Sequence, residues 1–167
     1  VIVVRKVMYQ GIVTIDGLSW EVQIATEPSE RGQGLAGLSF IPPGTGMLFD
    51  IGWDYFCSIT TAEMEFPIDV LWFNSRGRIV DIVCDFEPGT EAYTPAVPAR
   101  FVLEVNAGEL ESISIGDYAV IRSNAPRGVS VIDSVASIGI IGMLGLMIKA
   151  MMPMMLQEDF PLVRKVM

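Results

Sequence analysis

Between Ile12 and Arg122, short apolar runs alternate with turn-forming words. That punctuation restricts the fold to a small barrel or sandwich of short strands with one short helix. Ile12–Ile15, Asp16-Gly17 and Leu18–Ala25 read as strand, tight turn, strand, because Asp-Gly supplies the positive φ angles of a two-residue hairpin. Val1–Tyr9 is a further β-rich stretch, closed by Gln10-Gly11. A helix is predicted to start in Thr26–Arg31, with Thr26 as its cap, Pro28 in the first turn and Glu30 at the positive helix end. Gly32 and Gly34 keep it short. Pro42–Gly46 is a rigid turn and Met47–Ile51 a strand. Pro67–Phe73 and Arg78–Phe86 form a hairpin around Asn74-Ser75-Arg76-Gly77. Glu87–Pro98 is a proline-punctuated loop, followed by strands at Phe101–Val105 and Tyr118–Arg122. The expected organisation is a β-rich barrel-like domain over 1–122, a linker over 123–128 and an apolar α-helical extension over 129–167.

Charge narrows the partners. The net charge is −9, and the segment up to Gly128 carries it all, with 17 Asp+Glu against 8 Lys+Arg. So acidic a domain repels phosphate backbones, which excludes nucleic acid as an expected partner. The chain has no histidine, so His-based triads, His-ligated zinc and imidazole acid–base chemistry are absent. Cys57 and Cys84 are too far apart in sequence for a close metal-binding pair, and either a disulfide or two buried thiols fits their apolar contexts. No cofactor and no metal is expected.

Several words, in order, carry a family resemblance. They are Pro28–Leu35, Gly46-Met47-Leu48-Phe49, Phe66–Phe73, Gly77-Arg78-Ile79-Val80, Ala99–Gly108 and Gly116-Asp117. Together they resemble the domain-of-unknown-function-192 family over about residues 20–121. The resemblance implies a compact barrel-like β domain with a short helix, and no activity. Members of that family, which phages also encode, typically show Trp-Met-Lys-Asn-Thr before the Pro-Leu-Asp word. Here the corresponding run is Thr60-Thr61-Ala62-Glu63-Met64. The lysine and asparagine are missing, so any chemistry resting on them is lost.

Among candidate site residues, Asp69 lies between apolar neighbours where strand alternation turns it inward. A buried carboxylate needs a partner, and Arg31 and Arg100 are the natural ones. Asp69, Glu104 and an arginine would then make a polar binding pocket, or an ion pair tying helix to barrel. Glu63 and Glu65 would share one strand face, as a hard-cation pair or, more simply, as a solubilising device on an exposed edge. Trp20, Trp53 and Trp72, with Tyr55 and Phe56, would line a groove or fill the core.

The segment Val135–Leu156 carries one charge, Lys149, and as a helix would be about 33 Å long, enough to cross about 30 Å of hydrocarbon. Ala136, Gly139, Gly142 and Gly145 form a stripe of small residues suited to close helix packing. Met143, Met147, Met151, Met152, Met154 and Met155 add a surface that fits irregular partners. Lys149 and Pro153 interrupt a clean span. The tail therefore reads as a membrane anchor, as a helix buried among protein subunits of a homo- or hetero-oligomer, or as a cover packed on its own domain.

The functional expectation is a non-catalytic structural or interaction module, held in a membrane or a large assembly such as a virion. The alternative is a membrane-tethered hydrolase or ligand-binding protein using a carboxylate pocket around Asp69.

Overall fold

The computed structural model describes residues 8–124. Seven strands follow in order: β1 (Tyr9–Ile15), β2 (Leu18–Ala25), β3 (Thr45–Tyr55), β4 (Ile68–Phe73), β5 (Ile79–Phe86), β6 (Ala99–Asn106) and β7 (Ala119–Ser123). A single helix, α1 (Pro28–Gln33), lies between β2 and β3. The fold is mainly β, as the turn words predict. Residues 1–7, the linker beyond Asn124 and the predicted helix over 129–167, with Gly139, Gly142, Gly145, Met143, Met147 and Met151, lie outside the described residues. Among the described residues no helix is long and apolar enough to cross a membrane.

The seven strands form one sheet in the order β5-β4-β6-β3-β2-β1-β7. All neighbours are antiparallel except β2 and β3, which run parallel and need the crossover that carries α1. The terminal strands of this order meet: Arg78 and Tyr118 form a bridge, and Ile79 N–H donates to Asp117 O at 2.9 Å. The sheet thereby closes into a barrel at the first residues of these two strands.

Closure divides the apolar residues into two cores. Inside lie Val13, Ile15, Val22, Leu48, Leu71, Phe73, Phe101, Leu103 and Ile121, with Phe73 and Phe101 stacked at 5.1 Å between ring centroids. Outside, Leu35 and Ile41 after the helix and Ile59 in the following loop cover Met47, Phe49, Val70, Trp72 and Val102. Each such buried side chain contributes about 1.5–3 kcal/mol of hydrophobic burial. β4 and β6 are therefore covered on both faces, and every residue of β4 is buried.

Three local expectations change. Gln10-Gly11 does not close a strand; β1 runs straight through it. Gly11 is there because a Cβ would stand 2.6 Å from the Arg122 carbonyl oxygen of β7. The helix cap is Glu27 rather than Thr26: the Glu30 carboxylate accepts from the N–H groups of both Thr26 and Glu27, at 2.9 and 3.0 Å, in a capping box. β3 begins inside the predicted rigid turn, because Thr45 and Gly46 already pair with β2 and Gly46 also pairs with β6.

Candidate functional site

Asp69 is fully buried, as alternation within its strand predicts, but neither Arg31 nor Arg100 pairs with it. Its carboxylate accepts three backbone N–H groups: Asp85 at 2.9 Å on Oδ1, and Gly108 and Leu110 at 2.9 and 3.0 Å on Oδ2. A buried carboxylate can be held by several oriented amides as well as by a cation. Asp69 thus ties the end of β5 and the turn after β6 to β4.

The two arginines go elsewhere. Arg100 makes a bidentate pair with Asp50, Nε to Oδ1 and Nη2 to Oδ2, both at 2.9 Å. Its guanidinium also lies 4.8 Å from the Phe101 ring centroid. Gly52 N–H gives Asp50 a third donor at 2.8 Å. Arg31 donates Nη1 to the carbonyl oxygens of Thr26 and Asp50, so α1 is fastened to the end of β2 and the middle of β3.

Glu104 is the residue left over. In β4 and β6 the register sets Asp69 beside Val105 and Val70 beside Glu104. Val105 belongs to the inner core and Val70 to the outer one, so Asp69 and Glu104 face opposite sides of the sheet. The expected pocket of Asp69, Glu104 and an arginine is not assembled. Glu104 instead lies in the outer layer between Met47 of β3 and Val70 of β4, and is 5% exposed. Burial pushes its carboxyl up to about 8. Among the described residues no hydrogen bond or ion pair reaches it. Cys57 is close enough to feel it: burial raises the thiol first, Arg31 opposes the shift, and Glu104 adds to it.

Cys57 and Cys84 are free thiols, the first half-buried and the second exposed, so the possible disulfide is not formed. Glu63 and Glu65 sit in the turn before β4, not on a strand face. Among the described residues no group of three His, Cys, Asp or Glu is placed to hold a metal ion. Trp20 and Trp72 are core residues whose indole N–H groups are satisfied by Glu109 Oε2 at 2.7 Å and by the Cys57 carbonyl at 3.0 Å. Trp53, Tyr55 and Phe56 are on the surface, 66%, 58% and 50% exposed, which separates them from the buried tryptophans.

Sequence reasoning missed three anchoring residues. Asp50 closes an apolar run, and only its tertiary arginine explains it. Glu109 accepts from Trp20 through Oε2 and, at 3.0 Å, from Gly44 N–H through Oε1. The available signal was its position directly after Asn106-Ala107-Gly108. Thr61 is fully buried, donates to Glu87 O at 2.5 Å and accepts from Thr90 N–H at 3.1 Å, pinning its loop to the loop after β5.

Outside β1, β2 and β3 runs an open groove of about 780 Å³. Its apolar lining includes Ile12, Leu35, Leu38, Phe40, Ile41 and Met47, and Phe40 is 71% exposed.

Residues 11–122 match the model of the family DUF192, described as "Uncharacterized ACR, COG1430". Among solved structures, a Sinorhizobium meliloti protein named "putative transcription regulator" is 27% identical, with a TM-score of 0.60 over 69% of this chain and 92% of that one. A Novosphingobium aromaticivorans protein of unknown function shares the fold at 22% identity, with a TM-score of 0.63 over 71% of this chain and 89% of that one. None of the curated proteins matches.

Proposed function

The chain belongs to the DUF192 family, and from that membership and the geometry above we propose a non-catalytic interaction module, held by its apolar C-terminal segment in a bilayer or among protein subunits. One observation carries the reading. Two polar residues in the words that mark the family, Asp69 and Asn106, are spent on holding backbone together. Asp69 gathers three amide groups, and Asn106 donates to the carbonyl oxygens of Ile41 and Pro42 at 3.2 and 3.3 Å. A scaffold needs such ties; a glycosidase that works by a carboxylate pair needs both carboxyls facing one cleft.

The alternative centred on Asp69 has less support, since its nearest buried carboxylate, Glu104, is across the sheet from it. The Sinorhizobium meliloti relative carries the name of a transcription regulator, a role that would often bring a protein to nucleic acid. Residues 8–124 of this chain hold 17 Asp+Glu against 5 Arg, which weighs against that role here.

What would place the module is the sequence Val135–Leu156, with its small-residue stripe and single lysine. The test compares the full chain with one lacking 129–167, by flotation with phosphatidylcholine vesicles and by sedimentation. The full chain should float or self-associate, while the shortened chain does neither and keeps the same urea midpoint. Gly142→Leu should weaken self-association alone. A full chain that stays monomeric and does not float would sink the proposal, and a shortened chain that unfolds would show the tail to be part of the core.

A further inference from the structure

The outer faces of β7, β1, β2 and β3 form the floor of the groove, and strand register lays its side chains out in two rows. Val13, Ile15, Trp20, Val22 and Ile121 point into the barrel, so alternation turns Ile12, Glu21, Gln23 and Arg122 outward. In one row Ile12 stands between Glu21 of β2 and Arg122 of β7. In the other, Gln10 stands between Gln23, with Met47 beyond it, and Asn124, whose Oδ1 accepts from the Gln10 N–H at 2.9 Å. Leu35 and Ile41 pack with Met47, so the loop after α1 raises a wall beside β3. On that wall Leu38 is 44% and Phe40 71% exposed.

The polar groups on this floor are uncommitted. Among the described residues neither Glu21 nor Arg122 makes an ion pair, and the side-chain amides of Gln10 and Gln23 make no hydrogen bond. A carboxylate and a guanidinium therefore face one groove from either side of an apolar residue. A simple anion or cation would answer only one of them. Two strand spacings separate β2 from β7, so the backbones of Glu21 and Arg122 are about 10 Å apart. Three extended residues of a polypeptide span about the same distance, roughly 10 Å.

We infer that the groove receives a short peptide of about three residues, with free ends and an apolar first side chain. Its ammonium meets Glu21 and its carboxylate meets Arg122. Between them its backbone crosses Ile12 beside Gln10 and Gln23, whose amides each offer both a donor and an acceptor. The first side chain lies against Leu38 and Phe40, because Glu21 is on the strand next to β3 and its wall. A volume of about 780 Å³ suits a ligand of this size. Binding here calls on no residue beyond Asn124.

The test titrates the full chain, labelled with nitrogen-15, with the peptide Leu-Ala-Ala at pH 7. Its N-acetyl form, its C-terminal amide, Ala-Ala-Ala and phosphocholine are compared. Backbone signals of Ile12, Glu21, Gln23 and Arg122 should shift with Leu-Ala-Ala. Capping either end should weaken binding about threefold to fivefold, the size of one exposed ion pair. Ala-Ala-Ala should also bind more weakly, for want of the leucine side chain. In Glu21→Gln the free and acetylated peptides should bind alike, and in Arg122→Gln the acid and the amide should. Both residues are exposed, so neither change threatens the fold. Groove signals unmoved up to millimolar peptide, or capped peptides binding as well as the free one, would overturn the inference. Phosphocholine shifting the same signals as strongly would do so too, since it lacks a peptide backbone and an apolar side chain.

Discussion

Asp69 and Glu104 lie one register step apart on paired strands and face opposite sides of the sheet. One is saturated by three backbone amides inside the barrel, and the other, 5% exposed, lies among the outer apolar residues. Two carboxyls far apart along the chain and neighbours across one strand pairing thus have unrelated surroundings, and each makes a separate prediction.

Asp69→Asn keeps the shape but offers one carbonyl oxygen and an NH2 group to three N–H donors. At least one donor then meets another donor. The variant should lose about 2–4 kcal/mol of stability, read as a lowered urea midpoint. A loss below about 0.5 kcal/mol would show that the three contacts are not holding the turn after β6.

Glu104 gives a pH signature of opposite sense to a salt-bridged acid. Its carboxyl ionises near 4.5 when exposed and near 8 in the fold, so between those values the folded state binds more protons than the unfolded one. Stability must then fall as pH rises through this window. Glu104→Gln removes the titration, so the variant should gain on the wild type from pH 5 to pH 8 by a few kcal/mol. Parallel stability curves for the two proteins over that range would contradict the assignment.

Arg100→Ala strands the Asp50 carboxylate in a buried place with only the Gly52 amide left to hold it. Breaking one side of a buried pair costs about 3–5 kcal/mol, so thermal melting should drop sharply. Adding Asp50→Ala to that variant should restore part of the loss, because the orphaned charge is gone. Strictly additive losses in the double-mutant cycle would refute the coupling.

Two glycines should respond in opposite directions. A Cβ on Gly46 would sit 2.3 Å from the Glu104 carbonyl oxygen, so Gly46→Ala must push β3 away from β6. A loss of about 2 kcal/mol or more in urea denaturation is expected. Gly32 lies in α1 with open space around it, and Gly32→Ala should stabilise by about 0.5–1 kcal/mol through helix propensity. Equal effects at the two sites would show that close strand approach is not the reason for Gly46.

Much of the fold was legible along the chain. Asp16-Gly17 marks the β1–β2 turn, with positive φ at both residues, and Asn74–Gly77 marks the β4–β5 turn, where the Asn74 side chain accepts from the N–H groups of Arg76 and Arg78 at 3.0 Å. These are local effects of three to five residues, so local sequence determines them. The burial of Asp69 was legible for the same reason. Its partners were not, since Gly108 and Leu110 are about forty residues away and donate through backbone, which no side-chain pattern advertises.

By itself, then, the sequence determined short strands, their turns, one short helix, a strong acidic charge and the absence of imidazole chemistry. Only the tertiary structure decided which carboxyl is gathered by backbone amides and which lies among outer apolar residues. Alternation sorts the residues of one strand onto two faces, but pairing register decides which residues stand opposite, and closure between β5 and β7 decides which face becomes the inside. Both are long-range choices, made by contacts between residues far apart in the chain.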